Sequence, residues 1–305
     1  MPMKNNNKFR LDIWGGITLF IILLYMVFMI FPMGYLIIQS VIDGETGQFT
    51  LQNFAKFFSK SYYLDTLLNS FKVSIAATAC ALAIGTPLAY LFSTFKIRGK
   101  GALSILIIVA SMSAPFIGAY SWILLLGRSG AIPSFFNSMG IRIPDIYGFG
   151  GIVLVMTLQL FPLVFLYARG ALKNIDSSLL EASRNLGCSG IRCFITVVVP
   201  LIMPTLLAAA LLVFMRSFAD FGTPMLIGEG FRTFPVILYT EFINEVGGND
   251  GFAAAIAVIA IVITTIVFLG QKYLSNRKSF ALSALHPMEE KEARGGVKAV
   301  IHIFS

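Results

Sequence analysis

The sequence has 305 residues, 57% hydrophobic and 12% charged, with a mean hydropathy of +0.82 and a formal net charge of +8. A soluble domain carries about a quarter charged residues, so these figures exclude an ordinary water-soluble chain. The positive charge is no nucleic-acid footprint, because no basic patch is interleaved with aromatics on a soluble face, and no nucleic-acid partner is expected.

A helix needs about 20 apolar residues to cross a bilayer. Six segments qualify, at 13–41, 67–93, 102–126, 149–171, 201–222 and 252–274. They predict an all-α fold, a polytopic membrane protein with six transmembrane helices. The membrane domain covers 13–278, between an N-terminal segment 1–12 and a tail 279–305.

The first apolar stretch follows Lys4, Lys8 and Arg10, as a signal peptide would. It is too long for a cleaved segment and lacks an A-x-A site, so it reads as a retained anchor. Leu51–Phe58 alternates aromatic and polar residues and suits a short helix in the interface; a solvated connection is the alternative. Lys72 lies near the outer end of its span and can snorkel, and the fourth span carries Gln159.

The loop 172–200 contains a helix signature. Ser178-Leu179-Leu180-Glu181 reads as a capping box, Leu179, Leu180, Ala182 and Leu186 give an apolar component, and Gly187 can end the helix in the left-handed conformation. Ile191, Phe194 and Ile195 extend the apolar pattern, and Pro200 opens the fifth span. Exposed apolar side chains on such a helix need a cover. Docking in a partner's groove and lying on the lipid surface both supply one.

Ionisable groups within spans are functional candidates by default. Arg216 and Asp220 in the fifth span are four apart and share a helix face. They line a pathway or form an intrahelical pair. The outer segment 223–251 carries Glu241 and Glu245, with Gly247, Gly248 and Gly251 giving a flexible entry to the sixth span.

Basic residues set the orientation. One side holds Lys4, Lys8, Arg10, Lys96, Arg98, Lys100, Lys173, Arg184, Arg192, Lys272, Arg277 and Lys278. The other holds Lys56, Lys60, Arg128, Arg142 and Arg232, offset by Asp43, Glu45, Asp145, Glu229, Glu241, Glu245 and Asp250. Both termini are expected in the cytoplasm, with the chain in the bacterial inner membrane. Cys80, Cys188 and Cys193 form no disulfide framework and no zinc spacing. His286 and His302 lie in the tail, leaving no histidine for a proton relay within the spans.

Glu181-Ala182-Ser183, three residues, Gly187, nine residues, then Val197-Val198-Val199-Pro200 resembles the EAA loop of ABC importer permeases. Ser183, Val197 and Val199 are conservative departures from that pattern. Phe49–Phe54 with Leu67–Ser70 resembles the entry to the family's core, and Gly85-Thr86-Pro87-Leu88-Ala89-Tyr90 its second core helix. The resemblance implies a type I, methionine-importer-like permease core. It makes 178–187 a coupling helix seated in an ATPase groove, with Glu181, Ala182, Ser183, Gly187 and Pro200 as the coupling residues. It further implies ABC ATPase subunits, a second permease subunit (a copy or a sister chain) and an extracytoplasmic substrate-binding protein as partners, with the lipid bilayer around them.

Ala219-Asp220-Phe221-Gly222-Thr223-Pro224 is similar to the ferric-iron branch, whose relatives handle sulfate, thiamine, polyamines and phosphonates. Arg216, Asp220 and Gln159 are the pathway candidates. The branch often fuses two six-helix repeats, so the tail is expected to be the start of a second repeat.

The sequence carries no G-x-x-x-x-G-K-[ST] motif and no nucleophile–base–orienter set. The chain is therefore expected to be a transport subunit and not an enzyme, without a cofactor, with ATP bound by another polypeptide. No metal ligands are expected, because cargo in transit is held weakly. The rival class is an ion-driven secondary transporter, which should show inverted repeats and broken helices with midplane charges. A membrane enzyme would need a cluster of His or acidic residues at one membrane face.

Overall fold

The structure is a computed structural model that describes residues 13–43, 46–112, 114–141, 143–188, 190–243 and 250–277. The readings made above of segment 1–12, Glu45, Arg142, Glu245, Gly247, Gly248, Lys278 and the tail lie outside the described residues. Within them the chain is helical, apart from turns, connections and one isolated β-bridge between Ile42 and Phe49.

The helices are α1 (Ile13–Tyr25), α2 (Phe31–Ser40), α3 (Gln52–Ser59), α4 (Ser61–Thr94), α5 (Lys100–Ala110), α6 (Pro115–Leu126) and α7 (Ala131–Ser138). They continue as α8 (Phe149–Lys173), α9 (Ser177–Asn185), α10 (Gly190–Cys193), α11 (Val199–Ala219), α12 (Gly222–Ile227), α13 (Phe234–Ile243) and α14 (Asp250–Arg277). Wider π turns, Met26–Ile30 and Phe194–Val198, join α1 to α2 and α10 to α11.

Both π turns have one cause. Each precedes a proline, Pro32 and Pro200, by two residues. A proline within a helix donates no hydrogen bond and its ring crowds the carbonyl one turn back. Widening the turn relieves the crowding, and the residue before each proline closes an i to i+5 bond: Phe31 N–H to the Met26 carbonyl, Val199 N–H to that of Phe194. The helix stays continuous through both sites.

Five helical runs are long and apolar enough to cross a membrane: Gly16–Ser40, Ser61–Thr94, Phe149–Lys173, Gly190–Ala219 and Gly251–Gly270. They cover five of the six predicted spans, and the fifth begins about three turns before the predicted residue 201. The predicted span 102–126 is corrected: it is two helices, α5 and α6, separated by Ser111–Ala114. The proline at the start of α6 is the reason. The residue before a proline is pushed out of the helical region, and Ala114 is extended at φ −65°, ψ 142°.

The chain forms two compact units, Met1–Lys60 with Thr240–Val262 and Ser61–Tyr239 with Ile263–Ser305. In the first, the α1–α2 run exposes its apolar side chains almost throughout. The predicted interfacial segment forms α3, which buries Phe57 and Asn53, donates from Asn53 Nδ2 to the Ser40 carbonyl, and sets Lys56 Nζ 4.2 Å from the Phe252 ring centroid.

The second unit is built on α4, α8 and α11, which pack on one another. Two apolar clusters lie along them. One centres on Val73, Ala77, Ile152, Met156 and Val213, the other on Phe92, Phe165, Leu172, Ile175 and Ile202. At Gly85 α4 lies tight against α8: a Cβ there would sit 2.8 Å from the Phe161 carbonyl oxygen and from Val164 Cβ. Arg169 on α8 donates to Ser104 Oγ on α5 at 2.6 Å.

Candidate functional site

Two features of the second unit carry the predicted site residues, one at each end of the run Gly190–Ala219. At its start lies the loop helix α9. Its N-cap is Asp176, whose Oδ1 accepts the Ser178 N–H at 3.0 Å. This corrects the capping box: Ser178 lies inside the helix, and the exposed Glu181 side chain makes no hydrogen bond among the described residues. Asp beside Ser offered two caps two residues apart, and the carboxylate is the stronger acceptor.

The helix ends as expected. Gly187 is left-handed at φ +81°, and the Cys188 N–H reaches back to the Ser183 carbonyl. The space around Gly187 is open, so the backbone conformation alone selects glycine there.

The apolar residues of this segment divide between two faces. Leu180 is buried and belongs to the cluster of Phe165, Leu172 and Ile175. Leu186 is 89% exposed and Ile191 77%, with Leu179 and Ile195 also exposed. Ser183 Oγ donates to the Leu180 carbonyl and contacts Cys193 Sγ at 3.4 Å, joining α9 to α10. Ala182 is exposed and Pro200 occupies the first turn of α11. The result is a short helix fastened to the membrane helices by one face, with Glu181 and Ala182 on its accessible surface and Leu186, just past its end, and Ile191 on α10 exposed beside it.

At the other end of the run, α11 stops at Ala219, short of the predicted 222. Asp220 is extended and its carboxylate caps α12: Oδ1 accepts from the N–H groups of Gly222 (2.9 Å) and Thr223 (3.4 Å), and Oδ2 from Thr223 Oγ1 (2.7 Å). A side chain bonding locally competes with the helix ladder, and here it ends the span. The suggested Arg216–Asp220 pair is therefore absent, and the Arg216 side chain makes no hydrogen bond or ion pair among the described residues.

A cavity of about 490 Å³ opens at this break. Arg216, Ala219, Asp220 and Phe221 line it from α11 and its end, Gln159 and Leu160 from α8, Ser111 and Phe116 from the α5–α6 break. All three predicted pathway residues thus meet in one place. The sequence reading missed Ser111, Phe116 and Phe221; the signal available was Pro115 in the middle of an apolar run. Phe116 meets Phe221 edge-on at 5.1 Å, and Phe221 stacks on Tyr239 at 5.0 Å.

The connections beyond α12 are tied down. Gly148 N–H donates to the Ile227 carbonyl, and Arg128 pairs with Asp145 (3.0 Å) and Glu229 (2.6 Å). The hydrogen bonds to Asp145 and then Glu229 raise the Arg128 guanidinium above its ordinary pKa. Among the described residues, no group of three or more His, Cys, Asp or Glu could hold a metal ion, and all three cysteines are free.

Long apolar helices, one of them ending at a charged cavity, and a fastened exposed loop helix define a polytopic membrane protein. The chain belongs to the family of binding-protein-dependent transport system inner membrane components, whose model matches residues 81–280. It is thereby a component of a transport system. The chain is 28% identical over 306 aligned residues to the ferric transport system permease protein FbpB of Actinobacillus pleuropneumoniae, covering 98% of this chain and 42% of the relative. It therefore spans less than half the length of that relative.

The molybdenum transport system permease protein ModB of Escherichia coli is 31% identical, over 68% of this chain and 92% of its own. The spermidine/putrescine transport system permease protein PotB of Haemophilus influenzae is 26% identical, over 90% and 97%. Among solved structures, a chain of the bacterial alginate ABC transporter in complex with a pentasaccharide-bound periplasmic protein superposes with a TM-score of 0.73 at 14% identity, over 87% of this chain and 94% of its own. A chain of the inward-facing MetNI methionine ABC transporter gives 0.55 at 16% identity, over 71% and 96%. These likenesses establish the fold as that of type I importer permeases.

Proposed function

We propose that the chain forms half of the translocation pathway of an ABC importer, paired with a second permease subunit, and that its cargo is ferric iron delivered by an extracytoplasmic binding protein. The observation that carries this reading is the loop helix α9, which has the geometry of a docking element. Leu180 fastens it to the membrane helices and Leu186, with Ile191, is left for a partner. On this reading Glu181, Ala182, Ser183 and Gly187 shape the surface that an ATPase subunit grips.

The docking element and the cavity are two ends of one object. The run from Gly190 to Ala219 is 30 residues, about 45 Å at 1.5 Å per residue. A push on α9 and α10 when the ATPase subunits close would be carried along this run to the break at Asp220, where the pathway switches between two packings. The basic residues Lys96, Arg98, Lys100, Lys173 and Arg192 favour a cytoplasmic placement of α9 and of both termini.

Ferric iron is favoured by the similarity to FbpB over nearly the whole chain. ModB and PotB point to molybdate and polyamines as the other candidate cargoes. Broken helices with a charged cavity, expected of the rival secondary transporter, are present here as well; family membership decides for the binding-protein-dependent class.

The test is uptake of radiolabelled Fe(III), molybdate and putrescine by cells lacking the chain and restored with the wild type or Gly187→Trp. Restoration of Fe(III) uptake by the wild type alone, with both proteins present in the membrane, is expected. Restoration of molybdate or putrescine uptake instead would reassign the cargo. Normal uptake through Gly187→Trp would remove the docking role of α9.

A further inference from the structure

The cavity at the end of α11 holds two ionisable residues, Arg216 and Asp220, in unlike situations. Asp220 is half-buried, and three donors already occupy its oxygens: the N–H groups of Gly222 and Thr223 and the Thr223 hydroxyl. A carboxylate has about four acceptor positions, so little remains for a cargo. Arg216 is exposed, and none of its guanidinium donors is used by the described residues. Ser111 Oγ, on the facing break, donates to the Ile108 carbonyl at 2.6 Å, and its proton is committed there.

An arginine within a span is costly unless it faces a cavity or a partner. Here it faces a cavity, with five N–H donors in a planar fork that matches oxygen acceptors.

We infer that this cavity selects an anionic, oxygen-rich cargo, an oxyanion or a metal ion carried as an anionic oxygen-ligated complex, and that Arg216 is the selecting residue. The inference rests on the cavity being the transport pathway and narrows it. A bare polycation would meet the Arg216 charge and find on Asp220 a carboxylate with about one acceptor position left. Iron would cross as an anionic complex. A charged, low-dielectric cleft concentrates counter-ions about tenfold or more, which sets the size of the expected effect.

The test places a thiol in the cavity by Ala219→Cys, in the chain purified with its partner subunits, and uses the chain without this substitution to subtract Cys80, Cys188 and Cys193. Its labelling rates with neutral, sulfonate-bearing and trimethylammonium-bearing methanethiosulfonates are each divided by the rate with a free thiol. The expected result is an anionic-to-cationic ratio of about ten. It should fall to about one in Arg216→Gln and persist in Arg216→Lys, with the neutral reagent unchanged. A ratio of one or below, or one that Arg216→Gln leaves in place, overturns the selectivity while leaving the pathway intact. No labelling by any reagent overturns the pathway reading itself.

Discussion

Leu180 and Leu186 are six residues apart and do opposite jobs. Leu180 is buried in the cluster under α9 and Leu186 is 89% exposed. Truncating a buried leucine costs about 2–5 kcal/mol, whereas an exposed one has no cavity to leave. Leu180→Ala should lower the apparent Tm of the detergent-solubilised protein by several degrees, and Leu186→Ala should leave it unchanged. The reverse order would mean that α9 is fastened by its other face. Asp220 is a second residue with a definite job. Its carboxylate caps α12, and loss of such a cap costs about 0.5–2 kcal/mol. Asp220→Ala should therefore destabilise the protein, while Asp220→Asn, which keeps the acceptor oxygen, should recover most of the loss in the same Tm assay.

The elements are governed by where prolines and small residues fall. Pro32 and Pro200 widen a helix without stopping it, whereas the Ser111–Pro115 segment breaks one. The difference lies in the residue before each proline. Phe31 and Val199 stay helical and close a wide bond, while Ala114 adopts the extended conformation. Gly85 decides how close α4 comes to α8. Any side chain there meets backbone and Val164 at 2.8 Å, and overpacking of this kind costs about 1–3 kcal/mol. Gly85→Leu should lower the apparent Tm and reduce the amount of intact protein recovered from membranes; an unchanged Tm would mean that the two helices separate freely.

The spans were readable because the membrane demands long apolar runs. The EAA-type spacing was readable because it is local. The break within 102–126 was not, since hydropathy averages across a proline. The division of Leu180 from Leu186 was not either, because the leucines of this segment look alike in sequence and only tertiary packing assigns them. Arg216, Asp220 and Gln159 were legible as polar residues in apolar runs. Their meeting with Ser111 and Phe116 depended on the helix break.

At the scale of the molecule, one helical run, Gly190–Ala219, leads from the loop that carries α9 to the cavity. The family establishes an inner membrane component of a binding-protein-dependent transport system; the relatives FbpB, ModB and PotB differ in cargo. The central claim is that the exposed face of α9 receives an ATPase subunit. Affinity purification of the tagged chain from solubilised membranes tests it most directly, with wild type beside Leu186→Asp, a change at a site too exposed to disturb the fold. An ATPase subunit should be recovered with the wild type and depleted at least tenfold with Leu186→Asp, at equal levels of the permease in the membrane. Equal recovery with both proteins, or a stable wild-type complex containing no ATPase, would contradict it.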